Sequence, residues 1–165
     1  DDVPYDALKA QLATFSRHGG TVLSSNLCSE ELSTRDRLVV EVVSQDQTQR
    51  RRVGLVGVLS DDPALYREGA FGGAAIEEPW QTLRRYERLL APGCDLVLPL
   101  QHTYVPDDHK TCRDFQFPVV LSGHDHHRVD EVVEGTRLLK PGMDAVYATV
   151  LEISWVNKND DTKPA

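Results

Sequence analysis

Two short runs that are apolar at consecutive positions constrain this chain more than anything else in it. They are Leu96-Val97-Leu98-Pro99-Leu100, within Cys94–Leu100, and Phe117-Pro118-Val119-Val120-Leu121. A strand with one wet face alternates apolar and polar residues, so a strand that is apolar throughout is covered on both faces. The rest of the chain must supply that cover. From Tyr5 to Phe15 the residues Tyr5, Leu8, Leu12 and Phe15 recur at helical spacing after Pro4, and Gly19-Gly20 ends the pattern. Thr21–Ser25, Leu38–Ser44 and Arg52–Leu59 are short, rich in Val, Leu and Thr, and read as strands. Pro79 opens a second helix with Trp80, Leu83, Tyr86, Leu89 and Leu90 along one side, closed by Pro92-Gly93. Glu134-Gly135 marks a hairpin between Asp130–Val133 and Arg137–Lys140, and Val146–Trp155 alternates well enough for a last strand. This order predicts a layered α/β fold of stacked sheets with helices outside.

A chain of 165 residues with 40% hydrophobic content can bury an ordinary core as one domain. We place that domain at residues 1–156 and expect the polar stretch 157–165 to fray. A net charge of −8 argues against nucleic acid and anionic membrane as partners, because both repel it. Arg50-Arg51-Arg52 is the one basic cluster and reads as a solvated strand entrance. Cys28, Cys94 and Cys112 are odd in number and widely spaced, which suggests neither disulfides nor a zinc ribbon and points to a reducing, cytoplasmic setting.

Chemistry gathers at the ends of the two apolar strands. His102 ends the first run, and Gly123-His124-Asp125-His126 follows the second. In layered α/β proteins the carboxyl edge of the strands is where loops present side chains over a rigid floor. Gly123 permits a sharp turn, and in an extended stretch His124 and His126 would project the same way. Neutral imidazole is a strong ligand for zinc, manganese or iron. An isolated histidine in a loop is more commonly just a hydrogen-bonded residue, so this constellation is suggestive by itself and no more. His109 and His127 lack the strand-end position, and His18 is explained by the C-terminus of the first helix.

The run Asp95–His102, then Asp107-Asp108, then Val119–His126 resembles the last two motifs of calcineurin-like metallophosphoesterases, in order and spacing. Leu23–Leu27, Val53–Val58 and Leu139–Ala145 are similar to runs of the 5′-nucleotidase-like branch, so the likeness spans nearly the whole chain. The resemblance implies an α/β/β/α sandwich of mixed sheets, of which this chain is the C-terminal portion, incomplete on its N-terminal side. It implies a phosphoesterase that uses two divalent metal ions, such as manganese, zinc or iron, with a bridging hydroxide attacking a small-molecule phosphate ester. His102 and His124 would ligate one ion and His126 the other, while Asp125 would be a supporting partner of a ligand or an exposed loop residue, and not a ligand.

The earlier motifs of that family, an Asp-x-His, a Gly-Asp and a Gly-Asn-His followed by an acidic residue, have no match before His102. Asp107-Asp108-His109 has the letters of the first but comes out of order, and Asn26 is not followed by histidine. Half a site is therefore expected here, inactive until an N-terminal half, as a separate chain or an omitted segment, completes it. The competing expectation is a non-catalytic remnant of the fold serving as a structural or interaction subunit.

Overall fold

The structure is a computed structural model that describes residues 3–155. The expected fraying of 157–165 lies outside the described residues. Helix α1 (Tyr5–Arg17) is followed by β1 (Leu27–Cys28), β2 (Leu38–Val43), β3 (Arg50–Leu59) and β4 (Ala75–Ile76). Then come α2 (Pro79–Leu90), β5 (Leu96–His102), α3 (Val105–Asp114), β6 (Val119–Ser122), β7 (Arg128–Val133) and β8 (Thr136–Pro141). Six strands form one mixed sheet in the order β2-β3-β5-β6-β8-β7, and β1 and β4 form a second, two-stranded one. The fold is thus the expected layered α/β arrangement with two sheets.

The centre of the large sheet is parallel, β3-β5-β6-β8, with an antiparallel strand at each edge. Parallel neighbours need a crossover, and crossovers of this kind are right-handed. The connections β3-α2-β5 and β5-α3-β6 step the same way across the sheet, so α2 and α3 land on the same face. There Leu83, Tyr86 and Leu90 of α2 pack on Val56, Val58 and Val97, and Cys112 of α3 packs on Val120 and Leu138. The other face carries Val53, Leu98, Val119 and Leu139, with Leu55, Leu96 and Leu121 at the margin. This explains why Leu96–Leu100 of β5 and Val119–Leu121 of β6 are apolar at every position.

Three expectations are corrected. Leu89 is 55% exposed and lies off the packed stripe of α2, which runs through Pro79, Thr82, Leu83, Tyr86 and Leu90. Thr21–Ser25 forms no strand, only an isolated bridge between Leu23 and Arg35. One backbone bond, from Ser25 N to Gly57 O at 2.6 Å, and several side-chain bonds replace its ladder. Ser25 Oγ accepts from Gly57 N at 2.9 Å, while the Asn26 amide accepts from Leu59 N at 2.9 Å and donates to Leu59 O at 2.8 Å. β2 reaches only as far as Leu55, so these contacts occupy the part of the β3 edge it leaves open. Gly57 is required by that approach, because a Cβ there would sit 2.9 Å from the Leu23 carbonyl oxygen. Val146–Trp155 is likewise not a strand. Tyr147 and Leu151 instead line a groove of about 500 Å³ with Leu100, Leu121 and Leu139 on the apolar face of the sheet.

Helix α3 was not foreseen. Pro106 sits in its first turn and Asp107 and Asp108 complement its dipole there, but it has too few apolar residues to show a helical period.

Candidate metal centre

The carboxyl ends of β5 and β6 lie side by side, with Gln101 opposite Ser122. His102 and the turn that begins at Gly123 are therefore neighbours by construction. The His102 and His124 rings meet edge to face with centroids 5.2 Å apart, and the Tyr104 ring stands edge-on to His124 at 4.1 Å. His102 is open to solvent on one side and enclosed on the other by Gly123 and His124. Burial, followed by the neighbouring His124 and Lys140, holds its pKa below the ordinary imidazole value. The ring is thus neutral near pH 7, the form in which imidazole can ligate a cation.

The turn differs from its expected shape. His124 has φ 81° and His126 has φ 59°, so the stretch is not extended, and the inference that both rings project the same way from an extended strand fails. Gly123 does not adopt a positive φ; its role is clearance, since a Cβ there would lie 3.2 Å from His102 Nδ1. The structure brings His102 and His124 together, whereas His126 is exposed. Among the described residues no group of three or more His, Cys, Asp or Glu side chains is gathered as a metal site would be.

Asp125 is engaged elsewhere, by a hydrogen bond from Lys140. Burial opposes its ionisation, but the bond and the charge of Lys140 outweigh that and lower its pKa. Lys140, 2% exposed, also donates to the Thr103 carbonyl at 2.8 Å and lies 2.5 Å from Asp108 Oδ2. Asp108 Oδ2 accepts no directed hydrogen bond besides this ion pair, while Oδ1 accepts from Gln101, Thr103 and Ser122 at 3.0, 2.7 and 2.8 Å. No pattern in the sequence flagged this buried cluster; its one visible sign was a lysine inside the otherwise apolar Leu138-Leu139-Lys140. His109 pairs with Glu131 at 2.5 Å and His127 meets the Asp125 carbonyl at 3.0 Å, so neither belongs to the pair.

Beside the paired imidazoles lies a cavity of about 310 Å³ lined by Leu59, Leu65, Tyr66, Phe71, His102 and His124. The donors at its rim fit one side of a metal centre, two imidazoles, and Asp125, between His124 and His126, is already held by a lysine.

No family model and no curated protein matches this sequence. Solved structures do match in shape. One is a Staphylococcus aureus protein assigned to the 5′-nucleotidases and bound to alpha-ketoglutarate, with a TM-score of 0.64, 15% identity, and 79% of this chain aligned to 28% of that one. A second is the calcineurin-like phosphoesterase YfkN of Bacillus subtilis, with a TM-score of 0.61, 13% identity, and 74% of this chain aligned to 46% of that one. The chain has the calcineurin-like phosphoesterase fold. The sulfate thiohydrolase SoxB of Thermus thermophilus, in complex with glycerol, shares it at a TM-score of 0.60 and 17% identity over 78% of this chain and 24% of that one. The chain thus spans less than half the length of each of these three structures.

Proposed function

We infer that this chain is part of a metal-dependent phosphoesterase, in which His102, His124 and His126 supply imidazole ligands to two divalent ions such as manganese, zinc or iron. The observation that carries this is the pairing of the His102 and His124 rings at the carboxyl edge of a sheet with the calcineurin-like phosphoesterase fold. When bound, such a metal pair would polarise a phosphate ester and make a bound water acidic near neutral pH. The chain's own residues prepare the rim. His102 is held neutral, Tyr104 packs against the His124 ring, and the cavity beside both has room for part of a small-molecule ester. With Asp125 held by Lys140, carboxylate ligands come from another segment, an N-terminal half of the same domain in this polypeptide or a second one. The net charge of −8 keeps nucleic acid and anionic membrane off the list of partners, and the site is assigned to the cytoplasm on its cysteine usage.

The test is metal content by calorimetry with manganese and zinc, and hydrolysis of p-nitrophenyl phosphate, on the chain together with the segment that completes the domain. We expect two metals per complex, and loss of metal and turnover in His102→Ala and in His124→Ala at an unchanged melting temperature. A folded complex that binds no metal and hydrolyses nothing would overturn the proposal in favour of a non-catalytic scaffold.

A further inference from the structure

A lysine sealed inside a protein needs a reason. Removing an ammonium from water costs several kcal/mol, and a buried ion pair is commonly matched or bettered by apolar residues of the same volume. Lys140 sits on β8 next to Leu138 and Leu139, with its side chain 1% exposed. Its three oxygen partners come from three different parts of the chain. Thr103 O belongs to the residue directly after His102, Asp125 stands between His124 and His126, and Asp108 is on α3.

The geometry points to Lys140 as the positioning residue that sets the two histidine-bearing loops against each other. One ammonium bonds the backbone of the β5 loop and the carboxylate of the β6 loop, so neither can slide along the edge of the sheet without breaking a charged contact. Hydrogen bonds to a charged group are stronger and more directional than neutral ones, and burial shields them from water. Asp108 fixes the other end of the arrangement. Its Oδ1 collects Gln101 of β5, Thr103 and Ser122 of β6, tying the same two strand ends from beneath. A purely structural pair that fastened α3 to β8 would need Lys140 and Asp108 alone. The Asp125 contact does nothing for that purpose, and it lies in the short turn between the two histidines. The unusual backbone of that turn, with positive φ at His124 and His126, is a conformation that needs outside support, which Asp125 provides. The importance of this arrangement for chemistry rests on the proposed role of the histidines, but the arrangement itself is testable without any metal.

The experiment is NMR of the metal-free chain, read as the nuclear Overhauser contact between the His102 and His124 rings and the ring-current shift of His124 from Tyr104. Asp125→Ala is expected to weaken the contact severalfold and to lose the ring-current shift, with sheet amide shifts and melting temperature nearly unchanged. Asp125→Asn can still accept from the ammonium and should keep both signals. The double variant Lys140→Met/Asp108→Asn removes both buried charges and should behave like Asp125→Ala. Ring signals that persist in Asp125→Ala would overturn the positioning role and leave Lys140 a structural ion pair. A failure to bind metal when the domain is completed would remove the catalytic reading and leave these ring signals as they are.

Discussion

Gly123 stands so close to His102 that a Cβ on it would lie 3.2 Å from Nδ1 of the ring. Gly123→Ala should therefore push the imidazole aside by a few tenths of an ångström. Because the ring can tilt toward its open side, the stability cost should fall at the low end of the overpacking range, about 1 kcal/mol. A thermal melt and the His102 ring resonances check this together: a small loss of stability with a clear change in the ring signals is expected, and unchanged ring signals would refute the clearance role.

The stripe that α2 buries gives a paired prediction. Leu83 is fully buried against Val56, Val58 and Val97, so Leu83→Ala should destabilise the fold by about 2–5 kcal/mol. Leu89, six positions on and more than half exposed, should cost no more than about 0.5 kcal/mol when changed to Ala. Urea unfolding of the two variants separates them, and equal losses would show that the helix is rotated from the position described.

Asn26 is fully buried and its amide serves Leu59 N, Leu59 O and Glu77 O at 2.8–2.9 Å. Asn26→Ala leaves a buried N–H and two carbonyls without their side-chain partner, and a single unsatisfied group of that kind costs about 1–3 kcal/mol. We expect a loss at or above the top of that range, and faster hydrogen exchange at the Leu59 amide. Asn26→Asp should be no milder, because a carboxylate would face two carbonyl oxygens. An unchanged melt in both variants would remove Asn26 as the joint between the 22–26 segment and β3.

Much of the architecture was legible because burial on both faces writes itself into a strand as uninterrupted apolar sequence, as in Leu96–Leu100 and Val119–Leu121. Glu134-Gly135 was legible for a different reason: both residues take a positive φ, which a tight hairpin demands. What failed was pairing. Val146–Trp155 alternates like a strand, but alternation reports only that a segment can lie on a pleated surface. A ladder also needs a partner with free backbone groups, and this segment runs over the leucine face with Val150 94% exposed. Of the candidate histidines, the meeting of His102 and His124 was legible because two neighbouring strands end there, whereas His126 is exposed. Lys140 was not readable, because it is distant in sequence from both loops and its partners are a carbonyl and two acids scattered between Thr103 and Asp125. Nothing in a local pattern reports such a three-way contact.

The three cysteines are free, and their surroundings set a last test. Cys112 is 2% exposed in the cluster with Val120 and Leu138, and burial, with Asp108 and Glu131 nearby, pushes its thiol up to about 11. The thiolate is the nucleophile in alkylation, so at pH 8 the folded protein should present almost none of it at this position. Cys28 is exposed on β1, and although burial and Glu77 raise its pKa too, reagent can reach it. Iodoacetamide at pH 8 followed by peptide mass spectrometry should therefore modify Cys28 first and leave Cys112 untouched until denaturant is added. At pH 10 the Cys112 thiol is still mostly protonated and buried, so the gap between the two rates should persist as the solution becomes alkaline. Equal labelling at pH 8 without denaturant would mean that α3 does not stay closed over β6 and β8, and the bed on which Asp108 and Lys140 rest would be open as well.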